Sequence, residues 1–137
     1  MGRVFLLSPA HCGGRRAKQI LSPKATFPLA EQLRSKEGAR LGDVFSFVSG
    51  LYFRGKLTYA RRFAAPVHPA APGVHIITAN AGLREPDTFI TRKTLLAFAD
   101  GEIDSSNARY RRPLERSARA LAAEIGPCCE VVLLEAR

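Results

Sequence analysis

The first stretch of this chain with the means to do chemistry is Ser8-Pro9-Ala10-His11-Cys12-Gly13-Gly14-Arg15-Arg16, directly after the apolar run Val4 to Leu7. Paired glycines let backbone N–H groups approach an anion, and arginines add forked donors to carboxylate or phosphate. Ser8, Gly13, Gly14, Arg15, Arg16 and Lys18 are therefore candidate anion contacts. The stretch is neither a Walker loop nor a GxGxxG fingerprint. His11 beside Cys12 resembles a base and a nucleophile, but sequence neighbours seldom reach in-line geometry and no third group orients them. The competing reading of the whole stretch is a turn with a solvated basic flank.

Two further segments carry polar chemistry. In "TANAGLREPD", Thr78 to Asp87, Asn80 and Gly82 suit a tight turn, while Arg84, Glu85 and Asp87 are expected at the same strand end. Asp87 and Glu85 are the candidate acid and base, or ribose ligands; surface ion pairing is the alternative. In "SGLYFRGKLTYARRF", Tyr52, Arg54, Lys56 and Tyr59 interleave bases and aromatics, with Arg54 and Lys56 as phosphate contacts and Tyr52 as a stacking group. Tyrosines at such spacing also serve as half-buried core. His11, Cys12, His68, His75, Cys128 and Cys129 show no metal-ligand spacing, so no metal is expected, and nothing in the chain calls for a cofactor.

Charge narrows the partners. Residues 1–40 hold eight basic and two acidic groups and residues 41–72 four and one, so the entire net charge of +9 is reached by residue 72. A basic half of this kind fits a polyanion such as nucleic acid or a nucleotide, or an arginine-coated surface. Three cysteines, two of them adjacent, match neither a disulfide framework nor a zinc knuckle and fit reduced thiols in a cytoplasmic protein. The run after Arg3 is too short for a signal peptide, no run is long enough to span a membrane, and Leu6 stands where myristoylation expects Ser or Thr.

These groups need elements to hold them. Val4–Leu7, Val74–Ile77 and Val131–Leu134 are short runs with little alternation, rich in branched apolar residues, as in parallel strands covered on both faces. Leu114, Ala118, Leu121, Ala122 and Ile125 recur at helical spacing, with Pro113 in the first turn and Gly126-Pro127 as the stop. Phe53, Leu57, Ala60 and Ala64 form the stripe of a helix over Leu51 to Ala64, and Arg54, Thr58, Arg61 and Arg62 share an adjoining basic face. Shorter helices are predicted over Leu29 to Lys36 and Thr91 to Phe98, and Ala65 to Gly73 is a proline-rich connector. Strands alternating with helices give a single α/β domain over residues 1–137, with a small, mostly parallel sheet of about three strands and helices on both faces. Three strands are few for such a sheet, which leaves a shortened form of a larger domain or an edge covered by a partner, a homo-oligomer among the options.

The order "LLSPA", "GDVFSFVSGLYFRGKLTYARRFA", "IITANAGLREPD" resembles the YaaA family of peroxide-stress proteins and the related uncharacterised α/β domain of archaeosine-type tRNA-modifying enzymes. Ser8, Pro9 and Ala10 match that family's Ser-Pro-Ala-Lys; Gly42-Asp43-Val44 and Gly50-Leu51-Tyr52 match its second motif; Ala79, Gly82, Leu83, Pro86 and Asp87 match the turn that closes its second strand. His11 replaces the family lysine, with Arg15 and Arg16 as substitutes, and the chain stops where the family continues. The resemblance implies a basic cleft and association with DNA, nucleotides or RNA bases.

Together these readings predict nucleic-acid or nucleotide binding through a positive cleft at the carboxyl ends of the strands, with Asn80 to Asp87 as the opposite wall. The alternatives are an enzyme acting at a glycosidic bond of a nucleobase or nucleoside, and a non-catalytic fragment or interaction module.

Overall fold

The structure, a computed structural model, describes residues 2–66 and 71–135; His68, part of the proline-rich connector and the last two residues lie outside that range. Strand β1 (Gly2–Leu7) sends alternate side chains to opposite faces, and Val4 to Leu7 are all apolar, so both faces need cover. Phe5 and Leu7 enter the larger of two cores, with Val74 and Ile76 of β3 (Val74–Ile77). That core is closed by α1 (Arg15–Leu21), α2 (Pro28–Arg34), α3 (Leu41–Ser49), α4 (Leu51–Phe63) and α5 (Arg92–Ala99). Val4 and Leu6 enter the smaller core beneath Leu121 and Ile125 of α6 (Ala108–Ile125).

The main sheet has four strands in the order β4-β3-β1-β6, with β1 parallel to β3 and to β6 (Cys129–Leu134). The fourth strand, β4 (Leu83–Arg84), folds back antiparallel on β3, and a separate two-stranded sheet joins β2 (Ala39–Arg40) to β5 (Phe89–Ile90). The α/β class and the largely parallel sheet match expectation; the extra strand is a two-residue pairing too short to show periodicity.

Several local expectations are corrected. The first loop ends at Gly14, so Arg15, Arg16 and Lys18 stand on α1. Helix α6 begins five residues before Pro113, where the Asn107 side chain accepts the Arg109 N–H; Pro113 sits in its second turn and forgoes one bond to the Arg109 carbonyl. An unanticipated helix, α3, precedes α4. Gly50, at φ +68°, ends one and begins the other, and its N–H bonds the Ser46 carbonyl. Strand β6 is covered on one face only, because Val131 and Leu133 stay 48% and 50% exposed.

Candidate functional site at the strand ends

The connection after β1 packs its helices on one face of the sheet, the connection after β3 ends with α6 on the other, and in such sheets ligands bind in the crevice beyond the strands' carboxyl ends. Two adjoining hollows lie there, of about 340 and 170 Å³. The first is lined by Ala10, His11, Cys12 and Gly13 after β1 and by Phe98 and Ile103 at the end of α5; the second by Asn80 after β3 and by Asp100, Asn107 and Arg109. Gly101 and Glu102 belong to both, so the two form one trough across the ends of β1 and β3.

The walls are held by backbone groups. Thr78 accepts the Ala81 N–H at 2.9 Å and donates to the Gly82 carbonyl at 2.7 Å, which closes the turn carrying Asn80. The Asn80 amide donates to the Ala97 carbonyl at 2.9 Å, joining that turn to the last turn of α5. Asn107 caps α6 through its side-chain oxygen at 2.9 Å from the Arg109 nitrogen.

At the end of β1 a different group arrives, Lys56 of α4. Its Nζ donates to Ser8 Oγ at 2.7 Å and lies 5.4 Å from the centre of the Phe53 ring. Burial pulls the Lys56 pKa below its ordinary value, and the Glu135 carboxylate pulls it back up. Ser8 donates its backbone N–H to the Leu134 carbonyl at 3.0 Å, so the pair sits where β1 meets β6.

The structure gathers some of the expected residues and separates others. Arg15 and Lys18 are exposed and border a shallow hollow with Gly13 and Gly14, while Arg54 and Tyr52 are exposed on α4, Tyr52 at 70%. Arg16 donates to the Phe47 carbonyl and lies over the Phe47 ring, which ties it to the end of α3. Tyr59 packs edge-on against Phe5. Arg84, Glu85 and Asp87 are not delivered to the strand end with Asn80: Leu83 pairs with Ile77 and Arg84 with Ile76, so the chain runs back toward the start of β3. Arg84 donates to the Ala81 carbonyl, and Glu85 lines a groove on the α6 side with His75, Ser117 and Glu124. Asp87 is ion-paired with Arg40 and Arg61 on the exterior. The expected acid and base therefore lie away from the trough, whose carboxylates are instead Asp100 and Glu102.

Cys12 is 7% exposed, and burial lifts its thiol from 9.0 to about 12, so it carries no thiolate at neutral pH. Among the described residues no group of three or more His, Cys, Asp or Glu side chains could hold a metal ion, and no helix is long and apolar enough to cross a membrane. The signal missed in the sequence was "DGEIDSSN", a polar linker between two helical runs whose position across from Asn80 is set by the tertiary fold. No family model, curated protein or solved structure matches the chain.

Proposed function

We propose that this protein binds nucleic acid or a nucleotide at the strand-end trough. The observation that carries this reading is the distribution of unpaired positive charge. Arg15 and Lys18 beside the first loop and Arg109 in the trough are in no ion pair among the described residues, and Lys56 at the tip of β1 is in none either, though the Glu135 carboxylate acts on it. Like-signed groups beside a concave surface focus the field there and draw in anions. Arg15 and Lys18 border the shallow hollow at Gly13 and Gly14, and Lys56 meets Ser8 at the adjoining strand end. The likeness to YaaA-type proteins in the Ser8-Pro9-Ala10 segment agrees with a polyanionic partner.

Binding of phosphate-bearing ligands by contacts of this kind releases counterions and weakens as salt rises. Titration calorimetry with nucleotides and with single-stranded and duplex oligonucleotides is the test. The expected result is binding at low salt whose affinity falls with added salt, with Arg15→Ala and Lys18→Ala each reducing both the affinity and its salt dependence. Undetectable binding of every ligand at low salt, or binding indifferent to salt, would overturn the reading.

A further inference from the structure

Of the nine large apolar side chains left exposed among the described residues, five gather around one edge of the main sheet: Tyr52, Tyr59 and Phe63 of α4 and Val131 and Leu133 of β6. Strand β6 pairs with β1 along its length, from Gly2 with Cys129 to Leu7 with Leu134, and with no other strand among the described residues. It carries no proline, lysine or bulge to guard its free edge, and its one charged side chain, Glu130, is turned back on Arg3 of β1. Val131 and Leu133, level with Val4 and Leu6, lie on the α6 face. On the opposite face Tyr59 meets Phe5, level with Val132, with ring centres 5.8 Å apart, and Phe63 packs on Tyr59. Tyr52 and Lys56 continue that flank of α4 at helical spacing, and the Glu135 carboxylate directly after β6 acts on Lys56, which sets this flank on the β6 side. The other flank holds Arg61, paired with Asp87 beside the second sheet.

This edge is complementary to itself. A second strand related by a two-fold axis normal to the sheet runs antiparallel and keeps α4 on the α4 side, so opposed residues must point to the same face. With the axis at Val132, Val131 of each copy opposes Leu133 of the other, and Glu130 opposes Leu134 rather than a carboxylate. An axis at Val131 or Leu133 would set one of the two half-exposed side chains opposite Cys129 or Glu135 instead. At 70%, 51% and 42% exposed, Tyr52, Tyr59 and Phe63 offer roughly 250–400 Å² of aromatic surface per copy. That is a third to a half of the ~800 Å² that each partner buries in a stable interface, and Val131, Leu133 and the edge backbone add to it.

We propose that the chain forms a two-fold dimer through β6, which joins two four-stranded sheets into one continuous sheet with the α4 flanks meeting above the junction. The interface is separate from the strand-end trough and independent of any ligand there. Each copy's net charge of +9 opposes association, so the dimer dissociates on dilution and tightens with salt, which screens the repulsion. In dilute solution the copies separate, and Leu133 is as exposed as in the single chain.

Sedimentation equilibrium of the full chain over a range of concentrations, at low and high salt, tests it. A reversible monomer–dimer equilibrium that strengthens with salt is expected, opposite in sign to the salt response of polyanion binding. Val131→Glu and Leu133→Lys, both at exposed positions, should each weaken the dimer roughly tenfold or more by placing a charge opposite an apolar side chain. The double variant should associate more tightly than either single one, because across an axis at Val132 the new carboxylate of each copy faces the new ammonium of the other. Tyr52→Ser, on α4, should weaken the dimer as well, and it carries the test if the strand variants fail to give cooperative melts. A chain that stays monomeric at every concentration, which would leave the edge to a different partner, overturns the proposal. So does a dimer indifferent to these substitutions, or a double variant no tighter than the single ones.

Discussion

Cys12 carries a cost that depends on pH. Its thiol is raised from 9.0 to about 12 by burial, so above pH 9.0 the folded chain retains a proton that the unfolded chain releases. Stability from this group is complete below pH 9.0 and declines as pH climbs toward about 12, at roughly 1.4 kcal/mol per pH unit. Tyr110, also raised by burial, acts in the same direction, while Lys56, lowered by burial, acts oppositely and gains stability as pH rises toward 10.5. Urea melts of Cys12→Ala are expected to show a flatter alkaline limb than the parent, with some neutral-pH stability lost to the smaller side chain. Parallel limbs in the two proteins would show that the thiol does not titrate in a buried site. The same burial sets the order of alkylation: exposed Cys128 should react with iodoacetamide in the native protein well before Cys12, read by peptide mass.

Two elements meet closely where the β3–β4 turn touches α6. Gly82 has φ +68°, and a Cβ there would lie 2.3 Å from Ser117 Oγ and 2.6 Å from the Pro113 carbonyl oxygen. Gly126 has the same φ but nothing within 4 Å of its Cβ position. Gly126, at φ +68° and ψ −175°, occupies a region populated essentially by glycine, so Gly126→Ala should cost that backbone strain alone, about 1–3 kcal/mol, whereas Gly82→Ala adds overpacking of about 1–3 kcal/mol. Combining Gly82→Ala with Ser117→Ala should not restore stability, because the Pro113 carbonyl remains; full rescue in a denaturant melt would refute the packing account. This contact also explains what the sequence could and could not convey. The main elements were legible because Phe53, Leu57 and Ala60 repeat at helical spacing and three of the four residues from Val74 to Ile77 are branched and apolar. Helix α3 carried the helical spacing too, with Leu41, Val44, Phe45 and Val48 at i, i+3, i+4 and i+7, but its β-branched and aromatic residues and the glycines Gly42 and Gly50 at its two ends pull the local preference away from helix and hid it. Helix α1 buries only Ala17 and Ile20, too few positions to display a period.

For the molecule as a whole, the placement of the site followed from strand order, but its composition did not. Ser8 and Asn80 could be assigned to strand ends from their flanking runs, and Lys56 to a helix; Glu102 and Asn107 reach the trough only because the α5–α6 linker passes over Asn80. The same topology makes β1 the mechanical centre, because it pairs with β3 and β6 and feeds both cores, whereas β6 forms one edge of the sheet. Leucines on these two strands should accordingly differ in what they contribute. Leu7 is fully buried in the larger core, and Leu7→Ala is expected to cost about 2–5 kcal/mol through lost transfer energy and the cavity left behind. Leu133, level with Leu6 in the register, is 50% exposed; Leu133→Ala removes surface that water already reaches and should cost less than about 1 kcal/mol. Because β1 links the two cores, both variants should unfold in one transition, with near- and far-ultraviolet signals coincident. A Leu133→Ala loss as large as that of Leu7→Ala would mean that the outer face of β6 is covered in solution, and its growth with protein concentration would identify a second copy of the chain as the cover.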